Sequence, residues 1–177
     1  MHTTIKIIIT AVVLCAMGCA SQKQLKTADE QQIYMQEMYA SLVQALSHEA
    51  EVAIIEDSVK IIFVSGVLFN VNEPVIKPEL HTLFKRFSEV LNQYSNTTIL
   101  IAGHADNTGN EKTNIELSQK RADNAKQLLH NFDVNNERIY TLGHGSALPV
   151  DDNKTPDGRA KNRRIEFVIL YNYNSKK

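Results

Sequence analysis

The side chains of this sequence that could do chemistry lie in a few short stretches. His104 and Asp106 sit in Gly103-His104-Ala105-Asp106-Asn107-Thr108-Gly109, Arg121 follows in a helix-like segment, and His144, Arg163 and Arg164 stand toward the C-terminus. Arg121 is the anomaly. At about 100° per residue, Leu117, Ala122, Ala125, Leu128, Leu129 and Phe132 share an arc of roughly 140°, and Arg121 falls inside it. A guanidinium on the inner face of a helix must meet an anion, because an unpaired buried charge is too costly to keep, and its planar fork suits a carboxylate. Asp106 is the nearest acidic residue in the motif. Two arrangements are therefore open: an internal Arg121–Asp106 salt bridge tying loop to helix, or two charges facing an external ligand. A metal site gathering His104, Asp106 and His144 has competent ligands, but the spacing fits none of the specific zinc signatures. No metal, cofactor or catalytic role is expected.

The elements that must hold these residues can be read from periodicity. Thr98 to Ala102 is a strand candidate whose unbroken run Ile99-Leu100-Ile101-Ala102 reads as buried on both faces of a sheet, and a helix is expected to begin near Asn114. The loop between them is where α/β proteins commonly place ligands. The β-branched runs Val52–Glu56 and Val59–Val64, separated by Asp57-Ser58, predict a hairpin. Pro78 suits a first helical position, and Leu80, Leu83, Phe84, Phe87, Val90, Leu91 and Tyr94 follow at helical spacing, giving a core-facing helix. Ile139–Leu142 ends at Gly143. A polar loop with Pro149, Pro156 and Gly158 then leads to a last strand, Arg164 to Tyr171, alternating through Ile165, Phe167, Ile169 and Tyr171. This order predicts an α+β two-layer sandwich, helices packed on one face of a mixed sheet.

Gly103-His104-Ala105-Asp106, Asn114-x-x-Leu117-Ser118-x-x-Arg121-Ala122, Gly143-x-Gly145 and Asn153-x-Thr155-x-x-Gly158-Arg159-x-x-Asn162-Arg163-Arg164 together resemble the OmpA-like peptidoglycan-associated domain. The resemblance runs from the region of Glu51 to Tyr171. It implies non-covalent binding of cell-wall peptidoglycan, in which the aspartate matching Asp106 holds the ammonium, and the arginine matching Arg121 the carboxylate, of the free end of diaminopimelate in the stem peptide. It also places Asn114, Leu117, Phe69, Asn70 and Arg163 among the ligand-binding residues. Gly66 to Asn72 resembles the family's leucine-phenylalanine segment, although the family often carries aspartate where Asn70 and Asn72 stand. Asparagine keeps hydrogen bonding but weakens attraction for an ammonium, and Asn70 is equally a turn former. Of the final arginine pair one is expected to face the core side, with Arg163 favoured for the ligand; structural salt bridging is the competing role for both.

Length and composition bound the rest. The chain has 177 residues, 43% hydrophobic and 22% charged, enough for one core with extensions. With 19 basic and 20 acidic residues the formal charge is −1, which offers no electrostatic footprint for nucleic acid. Met1 to Gly18 reads as a signal peptide: Lys6, the apolar run Ile7 to Leu14, then small residues. Ala16-Met17-Gly18-Cys19 resembles the bacterial lipobox, with Ala16 in place of the usual leucine, and implies diacylation of Cys19. Cys15, the other cysteine, lies in the removed segment, which agrees with an oxidising compartment. The expected organisation is residues 1–18 as lipoprotein signal peptide, 19–50 as lipid-anchored helix or tether, and 51–173 as the wall-binding domain.

Met35, Met38, Tyr39, Leu42, Ala45 and Leu46 recur at helical spacing in the tether. That stripe either packs on the domain or serves a homo-oligomer or an envelope protein partner. Because the motifs all follow Glu51, a chain starting near Ser47 is expected to fold and bind. The expected role is that of a non-enzymatic outer-membrane lipoprotein facing the periplasm and tethering membrane to wall. The alternative is a flagellar-type stator or other envelope-complex subunit using a similar domain. A stator needs a mature transmembrane helix with a proton-bearing aspartate, and the apolar segment here is short and lacks one.

Overall fold

A computed structural model of the chain describes residues 28–46 and 49–172. The expected signal peptide and Cys19 lie outside the described residues. The chain divides into two units, Met1–Tyr34 and Met35–Lys177. In the first, the described residues 28–34 are helical; all that follows concerns the second.

The helical residues 35–46 (α1) are followed by a hairpin, β1 (Glu51–Ile55) and β2 (Ser58–Val64). After a single turn, α2 (Ser65–Leu68), come α3 (His81–Gln93), β3 (Thr97–Gly103), α4 (Glu111–Asn131), β4 (Ile139–Gly143), α5 (Pro156–Asn162) and β5 (Arg164–Tyr171). The strands form one mixed sheet in the order β1-β2-β5-β3-β4, antiparallel throughout except for the parallel β3–β4 pair. This is the α+β sandwich that the order of elements predicts.

The core lies between the sheet and its helices. Val59, Ile61 and Phe63 of β2, Ile99 and Ile101 of β3, and Ile165, Phe167 and Ile169 of β5 are buried at alternate positions, as period-2 geometry requires. Phe63, Phe84, Phe87 and Phe167 pack together with ring centroids 5.2–6.4 Å apart. The opposite face carries Leu100 at 40% exposure, so the expectation that β3 is buried on both sides is wrong. An unbroken apolar run does not reveal which face a sheet leaves open.

Other boundaries move for local reasons. The hairpin turn is Glu56-Asp57 rather than Asp57-Ser58, with Glu56 in the left-handed region at φ 53° and the Ser58 hydroxyl donating to the Ile55 carbonyl. Helix α4 starts at Glu111, ahead of Asn114, because the Asn110 side chain accepts from the Lys112 and Thr113 amides and caps it. The loop expected before the last strand contains α5, with Pro156 in its first turn and the Thr155 hydroxyl accepting from the Gly158 amide. In α1, Met35, Met38, Leu42 and Leu46 are buried, so the helical stripe is occupied within its own unit. Its neighbour is α3, from mid-helix to C-cap: Arg86 Nε donates to the Ala45 carbonyl at 3.2 Å, and the Ser41 hydroxyl lies 3.3 Å from that of Tyr94.

Two glycines let α4 lie directly on the strand ends. A Cβ at Gly103 would overlap the Ser118 carbonyl, and one at Gly143 the backbone of Gln119. Because both obstructions are backbone, Gly103→Ala is expected to destabilise by about 1–3 kcal/mol or more through overpacking, read as a lower urea midpoint at unchanged slope. An unchanged midpoint would show that α4 can lift without loss.

Candidate functional site

At the strand ends the β3–α4 loop, the segment after α2, the inner face of α4 and the start of β5 enclose a cavity of about 520 Å³. Phe69, Asn70, Asp106, Asn114, Leu117, Arg121 and Arg163 all line it. Residues distant in sequence thus converge on one cleft because β3 ends where α4 and β5 begin.

The loop is built around Asp106. Its Oδ1 accepts from the backbone amide of Thr108 at 2.8 Å and from the Thr108 hydroxyl, while Arg163 Nη1 donates to Oδ2 at 2.5 Å. Asn114 fastens the loop to α4, its amide donating to the carbonyls of Asp106 (3.2 Å) and Thr108 (3.0 Å). Gly109 turns the chain at φ 84°, a conformation that favours glycine. Burial pushes the Asp106 carboxyl up, but hydrogen bonds from the Thr108 hydroxyl, Arg163 and the Thr108 amide prevail and hold it below its ordinary 3.8.

A lowered folded-state pKa adds stability that is complete above the unfolded value and disappears as pH falls through the folded one. Asp106 therefore stays ionised, and its contribution intact, from neutrality down to about pH 5. Ligand binding that depends on the Asp106 charge is accordingly expected to be flat over that range; a steep fall between pH 7 and 5 would show that another group controls the site.

Arg121 is 5% exposed, yet no ion pair joins it to Asp106 or to any other carboxylate among the described residues. The internal bridge considered from the sequence is not formed, since Asp106 takes Arg163 instead. Arg121 Nε donates to the Glu73 carbonyl at 3.1 Å, and its guanidinium carbon stands 4.8 Å from the Phe69 ring centroid. Its terminal nitrogens make no hydrogen bond among the described residues. Burial, then the charge of Arg163, lowers its pKa, as befits a cation without a counter-ion. The cleft holds two guanidinium groups and one carboxylate, an excess of positive charge on the side of Arg121.

Asn70 takes the turn-forming role expected of it. It lines the cavity, and its side-chain amide donates to Glu73 Oε2 at 2.9 Å while its backbone carbonyl accepts from the Glu73 backbone amide. Sequence reasoning missed Thr108, whose Asp-x-Thr spacing is an Asx-turn signal, and the Glu73 carbonyl, for which no sequence signal exists. The metal grouping does not form: His104 and His144 stack with centroids 5.0 Å apart and face a different cavity from Asp106. Much of the C-terminal motif is scaffolding. Asn162, fully buried, accepts from the Val150 and Asp151 amides and donates to the Asp151 carbonyl and to Asn153.

A mixed sheet with helices on one face carries at its strand ends a cleft with one carboxylate and a buried arginine that has no carboxylate partner among the described residues, and so has the form of a binding module. The chain belongs to the OmpA family, whose model matches residues 68–163. It is 41% identical over 103 residues to outer membrane porin F of Pseudomonas fluorescens, covering 58% of this chain and 32% of that one. To the peptidoglycan-binding protein ArfA of Mycobacterium bovis it is 39% identical over 92 residues, 52% of this chain and 28% of ArfA. Among solved structures, a protein described as MotB-like from Desulfovibrio vulgaris superposes with a TM-score of 0.70 at 19% identity, covering 83% of this chain and 99% of that one. The chain spans about a third or less of the two sequence relatives, and the likeness to the third protein is one of fold.

Proposed function

We propose that this chain binds peptidoglycan non-covalently, through the free zwitterionic end of diaminopimelate in the stem peptide, and that a lipid on Cys19 tethers the outer membrane to the wall. The observation that carries the reading is Arg121: an arginine 5% exposed, without a carboxylate partner among the described residues, that lines an open cleft. A ligand carboxylate supplies the missing charge and can accept two parallel bonds from the fork. A carboxylate offers about four acceptor sites. Thr108 and Arg163 occupy three on Asp106, leaving one for the ligand ammonium. Asn114 and Leu117 line the same cleft, and the Phe69 ring lies against the guanidinium. The ArfA relative, named for peptidoglycan binding, supports the ligand class.

The test is a pulldown with purified diaminopimelate-type peptidoglycan, alongside the same material with its free carboxylate amidated. Retention on the first and loss on the second is expected; equal retention would overturn the assigned role of Arg121. Anchoring is tested separately by mass analysis of the mature N-terminus. A chain beginning with diacylated Cys19, lost in Cys19→Ser, is expected. An unlipidated start elsewhere would remove the tether and leave wall binding standing.

A further inference from the structure

The sheet face turned away from α3 and α4 carries a second cavity, of about 680 Å³. Its walls are Leu100, Tyr140, Leu142, Leu148, Val150 and Val168. Most are large apolar side chains left in water: Leu100 is 40% exposed, Leu142 54% and Val150 58%. So extensive an apolar patch on a sheet face marks a contact site more often than a bare surface.

One end of this cavity is polar and buried. Glu166 receives Lys60 Nζ and Arg164 Nε, each at 2.7 Å. Burial pushes the Glu166 carboxyl up, but those two partners hold it below its ordinary range, so the three groups together carry one net positive charge. Beside them His104 is 3% exposed, and neither of its ring nitrogens has a hydrogen-bond partner among the described residues. Its Nε2 stands 3.9 Å from Glu166 Oε1, beyond hydrogen-bonding distance. Burial, then Arg164, pushes this imidazole down to about 4, so it is neutral at pH 7 and offers one donor and one acceptor. The polar end therefore has unused donors on Lys60 and His104, surplus positive charge, and an apolar trough leading away from it.

We infer that this sheet face is a second binding site, for a single-chain aliphatic carboxylate whose head meets Lys60 and His104 and whose tail lies along Leu100, Leu142 and Val150. The volume falls in the range of small-molecule sites. The charge fixes the sign of the head: a cation would face Lys60 and Arg164, and a neutral head would leave the surplus charge uncompensated. The unpartnered imidazole distinguishes a ligand with a polar head from a purely apolar cover, which would bury His104 still without a bond. The site is independent of the wall-binding cleft. His104 and Asp106, two positions apart, face the two different cavities, as do the neighbours Arg163 and Arg164.

The test titrates decanoate, below the concentration at which it self-assembles, into the full chain. Calorimetry gives affinity, and NMR follows the methyl groups of Leu100, Leu142 and Val150 and the ring nitrogens of His104. Saturable binding that perturbs these signals is expected, with decanol and decyltrimethylammonium weaker by about tenfold or more, one lost charge-assisted bond. Leu142→Ser and Lys60→Met change exposed or partly exposed side chains, so neither needs to disturb the core; each is expected to weaken decanoate about tenfold while wall retention stays at its original level. Equal binding of decanol, or decanoate binding unaffected by both variants, would overturn the assignment, and so would an absence of saturable binding. Loss of wall retention in Leu142→Ser would instead show that the two sites are not separate.

Discussion

Arg121→Met is expected to abolish wall retention while melting no lower than the unaltered chain. In the folded protein Arg121 is an almost buried cation without a carboxylate among the described residues, held by one bond to the Glu73 carbonyl and by the Phe69 ring. Methionine keeps the unbranched apolar stem against Phe69 and removes the charge, and replacing buried ionic groups by apolar side chains of similar volume is often neutral or stabilising. For the ligand the change is severe. Two charge-assisted hydrogen bonds to a carboxylate are lost, on the order of 3 kcal/mol or more together, or roughly a hundredfold or more in affinity. Arg121→Lys separates geometry from charge: it keeps the cation without the planar fork and is expected to retain intermediate binding. A methionine variant that melts far below the unaltered chain would mean that Arg121 mainly holds the fold. One that still binds would remove it from the site.

Met38→Ala and Leu42→Ala, both in the helix ahead of every motif residue, are each expected to destabilise the domain by about 2–5 kcal/mol. Both side chains are fully buried, and α1 is tied to α3 through Ser41 and Tyr94 and through Arg86 and the Ala45 carbonyl. A chain starting near Ser47, expected from the sequence to stand alone, removes all of these at once and should melt well below one starting ahead of Met35. Its wall-binding cleft has no α1 residue, so whatever fraction stays folded should bind with unchanged affinity. Identical melting of the two chains would show that α1 contributes nothing to the domain. Reduced affinity in the folded short chain would place α1 in the site.

The sequence determined the architecture through local signals, and the membership of the cleft through its resemblance to the OmpA-like domain. Alternation in β5 and helical spacing in α3 and α4 follow from backbone geometry, and spaced glycines and polar residues mark a shared site without any knowledge of how they meet. Ile165, Phe167 and Ile169 could face only one way once Arg164 began the strand, and Arg121 stood out because its place in the apolar arc contradicted its charge. Pairing and exposure were decided by tertiary structure. Whether Asp106 met Arg121 or Arg163 depended on β5 beginning beside the β3–α4 loop, a juxtaposition across the sheet that spacing does not encode. The open face of the sheet was equally invisible: the apolar run Ile99 to Ala102 looks the same whether a second layer covers Leu100 or water does. The stripe on α1 was legible, but not its occupant, because an amphipathic helix buries its apolar face equally well against its own domain or a partner.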